Sequence, residues 1–385
     1  MRFTVLIALV LTVCPAAPAA DSGGTKNKKL IEFGWDEPDT AYMRAHVAEM
    51  ESTPFEGVVF DIKYLKDGKA DGPFISEAWG KRAFTAADLQ SARDDLRATP
   101  FKRFTENFLR FNVTPGDVDW FDDEGFRAIE GNAKLAAEVA RDGHGRGILF
   151  DIEEYAFPLF TYPKQMHAKD KSWADYSRQA RLRGAQIMRA FQVGYPGVTV
   201  LFTFGYTLPY AYTHHDPTKL DVARYGLLAP FLDGMLDAAA PDTKLVDGYE
   251  RSYAFQSAQK FDGARHEFEA GVLPYVVDAD RYRARFRLGF GLWLDEDWRK
   301  RGWDPSDPSK NYFTPAKFQA AVSDALRASD EYVWIYTETP RWWTPSGKPK
   351  DLPAAYEAAL RDSLRQIRGG GADAGDHQER QDRKE

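Results

Sequence analysis

Eight short apolar runs alternate with helical patterns from about residue 29 to residue 367, and this alternation limits what the chain can fold into. The runs fall at residues 30–36, 57–63, 108–113, 147–153, 198–204, 245–249, 288–295 and 332–338. Between them, residues 40–51, 86–97, 123–141, 173–193, 222–239, 315–328 and 352–367 carry apolar side chains at helical spacing. Strands separated by helices pair in parallel, because each helix returns the chain to the same end of the sheet. Eight such units predict a (β/α)₈ barrel, a single decorated domain over residues 20–368. The connection 251–287 is long enough to carry an extra helix. An open doubly wound sheet is the other arrangement, but its nucleotide-binding form needs a G-x-G-x-x-G after the first strand, and none is there.

The two ends read differently from the middle. Arg2, an apolar run over residues 5–13 and Ala17-Pro18-Ala19 make a signal-peptide pattern with cleavage expected near Ala19. The apolar run is too short to span a bilayer. Export from a bacterial cell, to the periplasm or beyond, is the expectation. The sole cysteine, Cys14, lies inside this leader, where residues 11–14 match a lipid-attachment motif poorly. The mature chain would then hold no disulfide. Residues 369–385 are Gly-rich and then charged, the composition of a disordered tail. Charges elsewhere are interspersed and the net charge is −7, so nucleic acid and anionic membrane surfaces are poor partners. No protein partner is evident in the sequence.

In a parallel barrel the C-terminal ends of the strands form the rim where active sites sit. Side chains alternate between faces along a strand, so each run can be sorted. In the fourth, Leu149, Asp151 and Glu153 share one face, and Ile148, Phe150 and Ile152 the other. Two carboxylates on one face of an apolar strand need a partner or a role. If Ile31 and Phe33 face the helices, Glu32, Gly34 and Asp36 face the barrel. The same sorting sends Asp61 and Lys63, Arg110 and Asn112, Asp247 and Tyr249, and Trp293 and Asp295 inward. In the eighth run it sends Trp334, Tyr336 and Glu338 inward. Acids, amides and aromatic rings thus gather at one rim. Trp35, Trp293, Trp334 and Trp342-Trp343 all lie at or just past strand ends, within a chain that is 14% aromatic.

Acids set among aromatics suit carbohydrate chemistry. Glycoside cleavage needs one carboxyl group to protonate the leaving oxygen and a second to meet the oxocarbenium-like centre. Two close carboxylates raise one another's pKa and keep a proton near neutral pH, and flat rings fit the C–H faces of sugars. Other chemistries lack their residues. There is no H-E-x-x-H and no His/Cys cluster for zinc, no G-x-S-x-G elbow and no P-loop. The trio His214-His215-Asp216 reads as a solvent loop, with a metal or substrate contact as the alternative. No cofactor or metal is called for.

Residues 147–155 resemble the fourth-strand D-x-E signature of chitinase-type glycoside hydrolases. That resemblance implies Glu153 as general acid and Asp151 as the neighbour that orients a substrate acetamido group. Tyr249 and Trp334 sit where that family places a tyrosine and a floor tryptophan. The chain departs from the motif at Leu149, where the family has a further aspartate, and at Glu154, where it has an aromatic residue. The expectation is therefore an exported glycoside hydrolase acting on poly- or oligosaccharide. Glu153 is its acid/base, Asp151 assists, and Asp295 or Glu338 supplies the second carboxylate. Trp334 is expected as the floor under the sugar, with Trp342 or Trp343 on the wall. Tyr249, Asp247, Tyr206, Asp61, Asn112, Trp35 and Trp293 are expected as further substrate contacts. Two alternatives stand beside it. If Glu153 were locked against Arg110 with no other acid in the cleft, the chain would be a catalytically silent carbohydrate-binding barrel. A polysaccharide lyase would use Tyr206 or Tyr249 as base.

Overall fold

The structure is a computed structural model that describes residues 27–35, 37–344 and 350–369. The expected leader with Cys14 and nearly all of the C-terminal tail lie outside the described residues. Nine strands form one sheet: β1 Lys29–Gly34, β2 Gly57–Phe60, β3 Phe108–Asn112, β4 Gly147–Asp151, β5 Thr199–Phe202, β6 Lys244–Asp247, β7 Phe286–Leu288, β8 Phe290–Trp293 and β9 Tyr332–Thr337. All pairings within it are parallel. β7 and β8 stand at the two ends of the strand order, yet only Gly289 separates them along the chain. They are one strand with a break, paired below with β6 and above with β9, so the sheet closes into a (β/α)₈ barrel. The eight expected runs supply its eight staves.

The helices that cover the sheet include α1 Thr40–Met50, α2 Gln90–Ala98, α3 Asp123–Asp142, α4 Trp173–Gly194, α5 Leu228–Ala238, α6 Pro315–Ala328 and α7 Ala354–Gly369. Their starts are written locally. Asp39, Asp122 and Thr314 accept first-turn backbone N–H groups as N-caps, and Ser172 with Asp175 makes a full capping box. The connection between β6 and β7 carries two short helices, Ala258–His266 and Ala279–Arg285. A two-stranded hairpin, Lys63–Lys66 with Lys69–Pro73, follows β2 and was not expected from the sequence. Among the described residues no helix is long and apolar enough to cross a membrane.

The barrel interior and the layer under the helices are separate apolar clusters. Ile31, Phe33, Val59, Phe108, Leu149, Leu201, Val246, Tyr332 and Trp334 fill the interior. Leu30, Val58, Leu109, Ile148, Phe150, Val200, Leu245 and Val333 pack outward. Two strands therefore face opposite to expectation. Ile31 and Phe33 point into the barrel, which turns Glu32 outward, and Val246 points inward, which turns Asp247 outward. Both faces of a parallel barrel strand are buried and both are apolar, so alternation alone leaves the choice of face open.

Candidate active site

The rim at the strand C-termini encloses a cavity of about 400 Å³. Phe33, Trp35, Glu37, Arg110, Asp151, Glu153, Tyr155, Thr203, Glu250, Tyr253, Trp293, Arg299, Tyr336 and Glu338 line it.

Asp151 ends β4 with its carboxylate fully buried. Its Oδ2 accepts from Arg110 Nη2 at 2.6 Å, Arg110 Nε at 3.2 Å and the Tyr155 hydroxyl at 3.1 Å. Its Oδ1 accepts the backbone N–H of Glu153 at 3.1 Å. Arg110 also donates through Nη1 to Glu37 Oε2 at 2.7 Å, so one guanidinium bridges two buried carboxylates. The arginine expected as a possible lock on Glu153 is thus committed to its neighbours. Burial pushes the Glu153 carboxyl up, the charge of Asp151 adds to this, and the nearby Tyr155 hydroxyl and Arg110 offset part of it. Glu154 leaves the cavity: it accepts the Phe160 N–H at 2.7 Å and pairs with Arg224 at 3.3 Å, tying down the loop after β4.

A second carboxylate lies opposite, and sequence reasoning missed it. Glu250 follows Tyr249, which adopts a left-handed conformation at φ 42° just past β6. That turn sends Glu250 into the cavity with its N–H donating to Thr203 O at 3.1 Å. Burial holds the Glu250 carboxyl well above the usual range, and the charges of Glu153 and Asp151 push the same way. A hydrogen bond donated by the Tyr253 hydroxyl opposes them. No sequence signal marks it, because β6 ends at Asp247 and the left-handed turn at Tyr249 interrupts the alternation before residue 250.

Several expected site residues are placed elsewhere. Asp247 lies behind the rim, where its Oδ2 accepts from Thr207 Oγ1 at 2.8 Å and its Oδ1 accepts the Tyr249 N–H at 3.0 Å, fixing the turn that presents Glu250. The Tyr249 hydroxyl donates to Glu267 at 2.7 Å, away from the cavity. Tyr206 donates to Asp233 at 2.9 Å and packs on Tyr282 and Phe286 outside the barrel. Asn112 is buried and accepts the Thr114 N–H at 3.3 Å. Asp61 accepts the N–H of Ile62 at 2.7 Å and is pushed up to about 7 by burial and the charge of Glu37, but it does not line the cavity.

Of the two candidates for the opposing carboxylate, Asp295 is a structural clasp. It accepts the N–H groups of Glu338 at 3.1 Å and Thr339 at 2.8 Å, and Trp293 Nε1 at 2.8 Å. The two backbone donors hold the loop after β8 onto the end of β9, and no bond joins its carboxylate to the side chain of a cavity acid. Glu338 does line the cavity, yet its Oε2 accepts from Trp298 Nε1 at 2.6 Å and pairs with Arg299.

The aromatic wall also differs from expectation. Tyr253 and Tyr336 stack with centroids 5.3 Å apart and planes 14° apart, and Phe33 and Trp293 meet Tyr336 at 5.6 and 5.7 Å. Trp35 stands at the mouth, 57% exposed, with the Arg299 guanidinium 5.4 Å from its ring centre. Trp334 faces inward but one layer too deep: it is 0% exposed and packs under Phe33 and Tyr253 at 5.5 and 5.3 Å. Its Nε1 donates to Gly248 O at 2.9 Å. Glycine is required beside it, since a Cβ at Gly291 would come within 2.6 Å of the indole. Trp334 is barrel filling and the floor is the tyrosine pair above it. Trp342 and Trp343 are buried in the outer core, Trp342 edge-on to Phe55 at 4.9 Å.

No family model and no curated protein matches the sequence. Among solved structures, the chain is similar to a putative chitinase A from Streptomyces coelicolor, at 12% identity and a TM-score of 0.42 over 88% of this chain and 98% of that one. It is also similar to a psychrophilic family 10 endo-β-1,4-xylanase, at 11% identity and a TM-score of 0.43 over 88% and 99% of the two chains. A hyperthermophilic endocellulase from Pyrococcus horikoshii aligns at 11% identity and a TM-score of 0.44 over 89% and 92%. All three are named as glycan-degrading enzymes.

Proposed function

We propose that the protein is an exported glycoside hydrolase acting on poly- or oligosaccharide, with Glu153 as general acid and Glu250 as the opposing carboxylate. The observation that carries this reading is that both carboxyl groups line one aromatic-walled cavity, each raised by burial, with the charge of Glu153 raising Glu250 further. Burial raises both carboxyl groups and the charges of Glu153 and Asp151 raise Glu250 further, so the pair keeps a proton to higher pH than free glutamates do. That state supplies an acid for the leaving oxygen and a carboxylate for the sugar centre together. Glu250 replaces both Asp295 and Glu338 in the second role, since those two are engaged by backbone, tryptophan and arginine donors. Asp151 and Arg110 are positioning residues: Asp151 holds the Glu153 backbone and Arg110 holds Asp151.

The experiment is a release assay for reducing ends on a polysaccharide panel, run with the parent protein and with Glu153→Gln. General acid catalysis contributes about 10²–10⁴-fold, so the variant should fall by at least about a hundredfold on the glycan the parent cleaves. A parent inactive on the whole panel, yet binding one of its members, would make the carbohydrate-binding reading the better one.

A further inference from the structure

The cavity holds more acids than cations, even with a proton on Glu250. Glu37, Asp151, Glu153, Glu250 and Glu338 reach it, against two guanidinium groups, Arg110 and Arg299. Both cations are already committed, Arg110 to Glu37 and Asp151 and Arg299 to Glu338. Among the described residues no lysine or histidine lines the cavity. A sugar carrying a carboxylate or sulfate would meet this field with no free cation to receive it.

Glu37 adds an independent sign. Its side chain is only 9% exposed and lines the cavity; Oε2 takes the Arg110 bond, whereas Oε1 has no hydrogen-bond donor. A buried carboxylate oxygen without a donor is costly, and a ligand that brings a charged donor relieves it. A ring carrying a free ammonium group brings three N–H donors and one positive charge. A neutral hydroxyl or an acetamido group brings donors without the charge.

We infer that the cavity selects an amino sugar with a free ammonium group, a glucosamine- or galactosamine-type unit, and that Glu37 is the carboxylate that receives it. This rests on the reading of the cavity as a sugar-cleaving site. It also departs from an acetamido-directed role for Asp151, because both oxygens of that carboxylate are occupied by Arg110, Tyr155 and the Glu153 backbone.

The test is isothermal titration of the full chain, at mildly acidic pH and low salt, with four probes: tetramers of glucosamine, N-acetylglucosamine, glucose and galacturonate. The glucosamine tetramer should bind at least about tenfold tighter than the glucose tetramer, with the galacturonate tetramer weakest, and the gap should shrink as added salt screens the field. Glu37→Gln, which keeps the shape, should lose the preference for the amine, so that the glucosamine and glucose tetramers bind the variant equally. Equal or weaker binding of the amine by the parent, or a preference that salt and Glu37→Gln leave intact, overturns the inference. If the neutral tetramers are bound and cleaved with no preference for the amine, only the charge selectivity fails. If none of the four is bound, the sugar-site reading falls with it.

Discussion

The backbone N–H of Glu153 donates to Asp151 Oδ1 at 3.1 Å, so the buried member of the fourth-strand acid pair fixes the position of the other. Strand alternation explains why the two share a face. Their environments then diverge. Asp151 ends the strand and is closed off by Arg110 and Tyr155, whereas Glu153 has passed the strand end and stands in the cavity beside Glu250.

Arg110 is central to this arrangement, which predicts a large stability effect. Replacing it with Ala leaves Glu37 and Asp151 as buried carboxylates without their cation. Breaking a buried pair from one side costs about 3–5 kcal/mol. Denaturant unfolding should show a loss of that size, and adding Asp151→Asn to the Arg110→Ala variant should recover part of it. A loss below about 1 kcal/mol would mean that water or rearrangement satisfies both acids.

The raised pKa of Glu250 makes a prediction about pH. A carboxyl group held above its unfolded value takes up a proton on folding, so stability falls as pH rises above the ordinary glutamate value of about 4.3. Glu250→Gln removes that cost. The variant should match the parent near pH 4 and be the more stable of the two at neutral pH. Thermal unfolding across pH 4–8 reads the crossover, and a variant less stable than the parent at neutral pH would contradict an upward shift at Glu250.

Two tryptophans separate packing from binding. Trp334 fills the barrel with its indole N–H bonded to Gly248 O, so Trp334→Ala should cost about 3–5 kcal/mol. Trp35 is more than half exposed at the cavity mouth, so Trp35→Ala should change stability by less than about 0.5 kcal/mol. It should weaken glycan binding several-fold. Unfolding curves and binding titrations of the two variants should therefore show opposite patterns.

The barrel was legible because eight apolar runs and their intervening helices repeat a pattern with one closed solution. Glu153 was legible for the same reason: β4 has acid on one face only, and Leu149 sets the inward count. Glu250 was not, because Leu245 and Val246 offer equal apolar claims to the interior. Counting from the wrong one put Asp247 and Tyr249 in the cavity. The left-handed Tyr249 then adds a turn that alternation does not describe. Asp295 carries the same lesson at a loop: the sequence shows an acid at a strand end, while its three donors come from Trp293 and from the backbone of residues 338 and 339. Depth was invisible too, since Trp334 and Tyr336 share a face and only the higher one meets the cavity.

The assignment of Glu153 and Glu250 is tested most directly by varying the leaving group. A natural glycan leaves as a poor, strongly basic alkoxide that needs a proton, while a nitrophenyl glycoside leaves without much help. Steady-state kcat/KM should be measured for the parent, Glu153→Gln and Glu250→Gln on both substrate types. The account predicts that Glu153→Gln loses about 10²–10⁴-fold on the glycan but less than about tenfold on the nitrophenyl glycoside. Glu250→Gln should lose heavily on both. Equal losses for Glu153→Gln on the two substrates, or a glycan rate within tenfold of the parent, would contradict it.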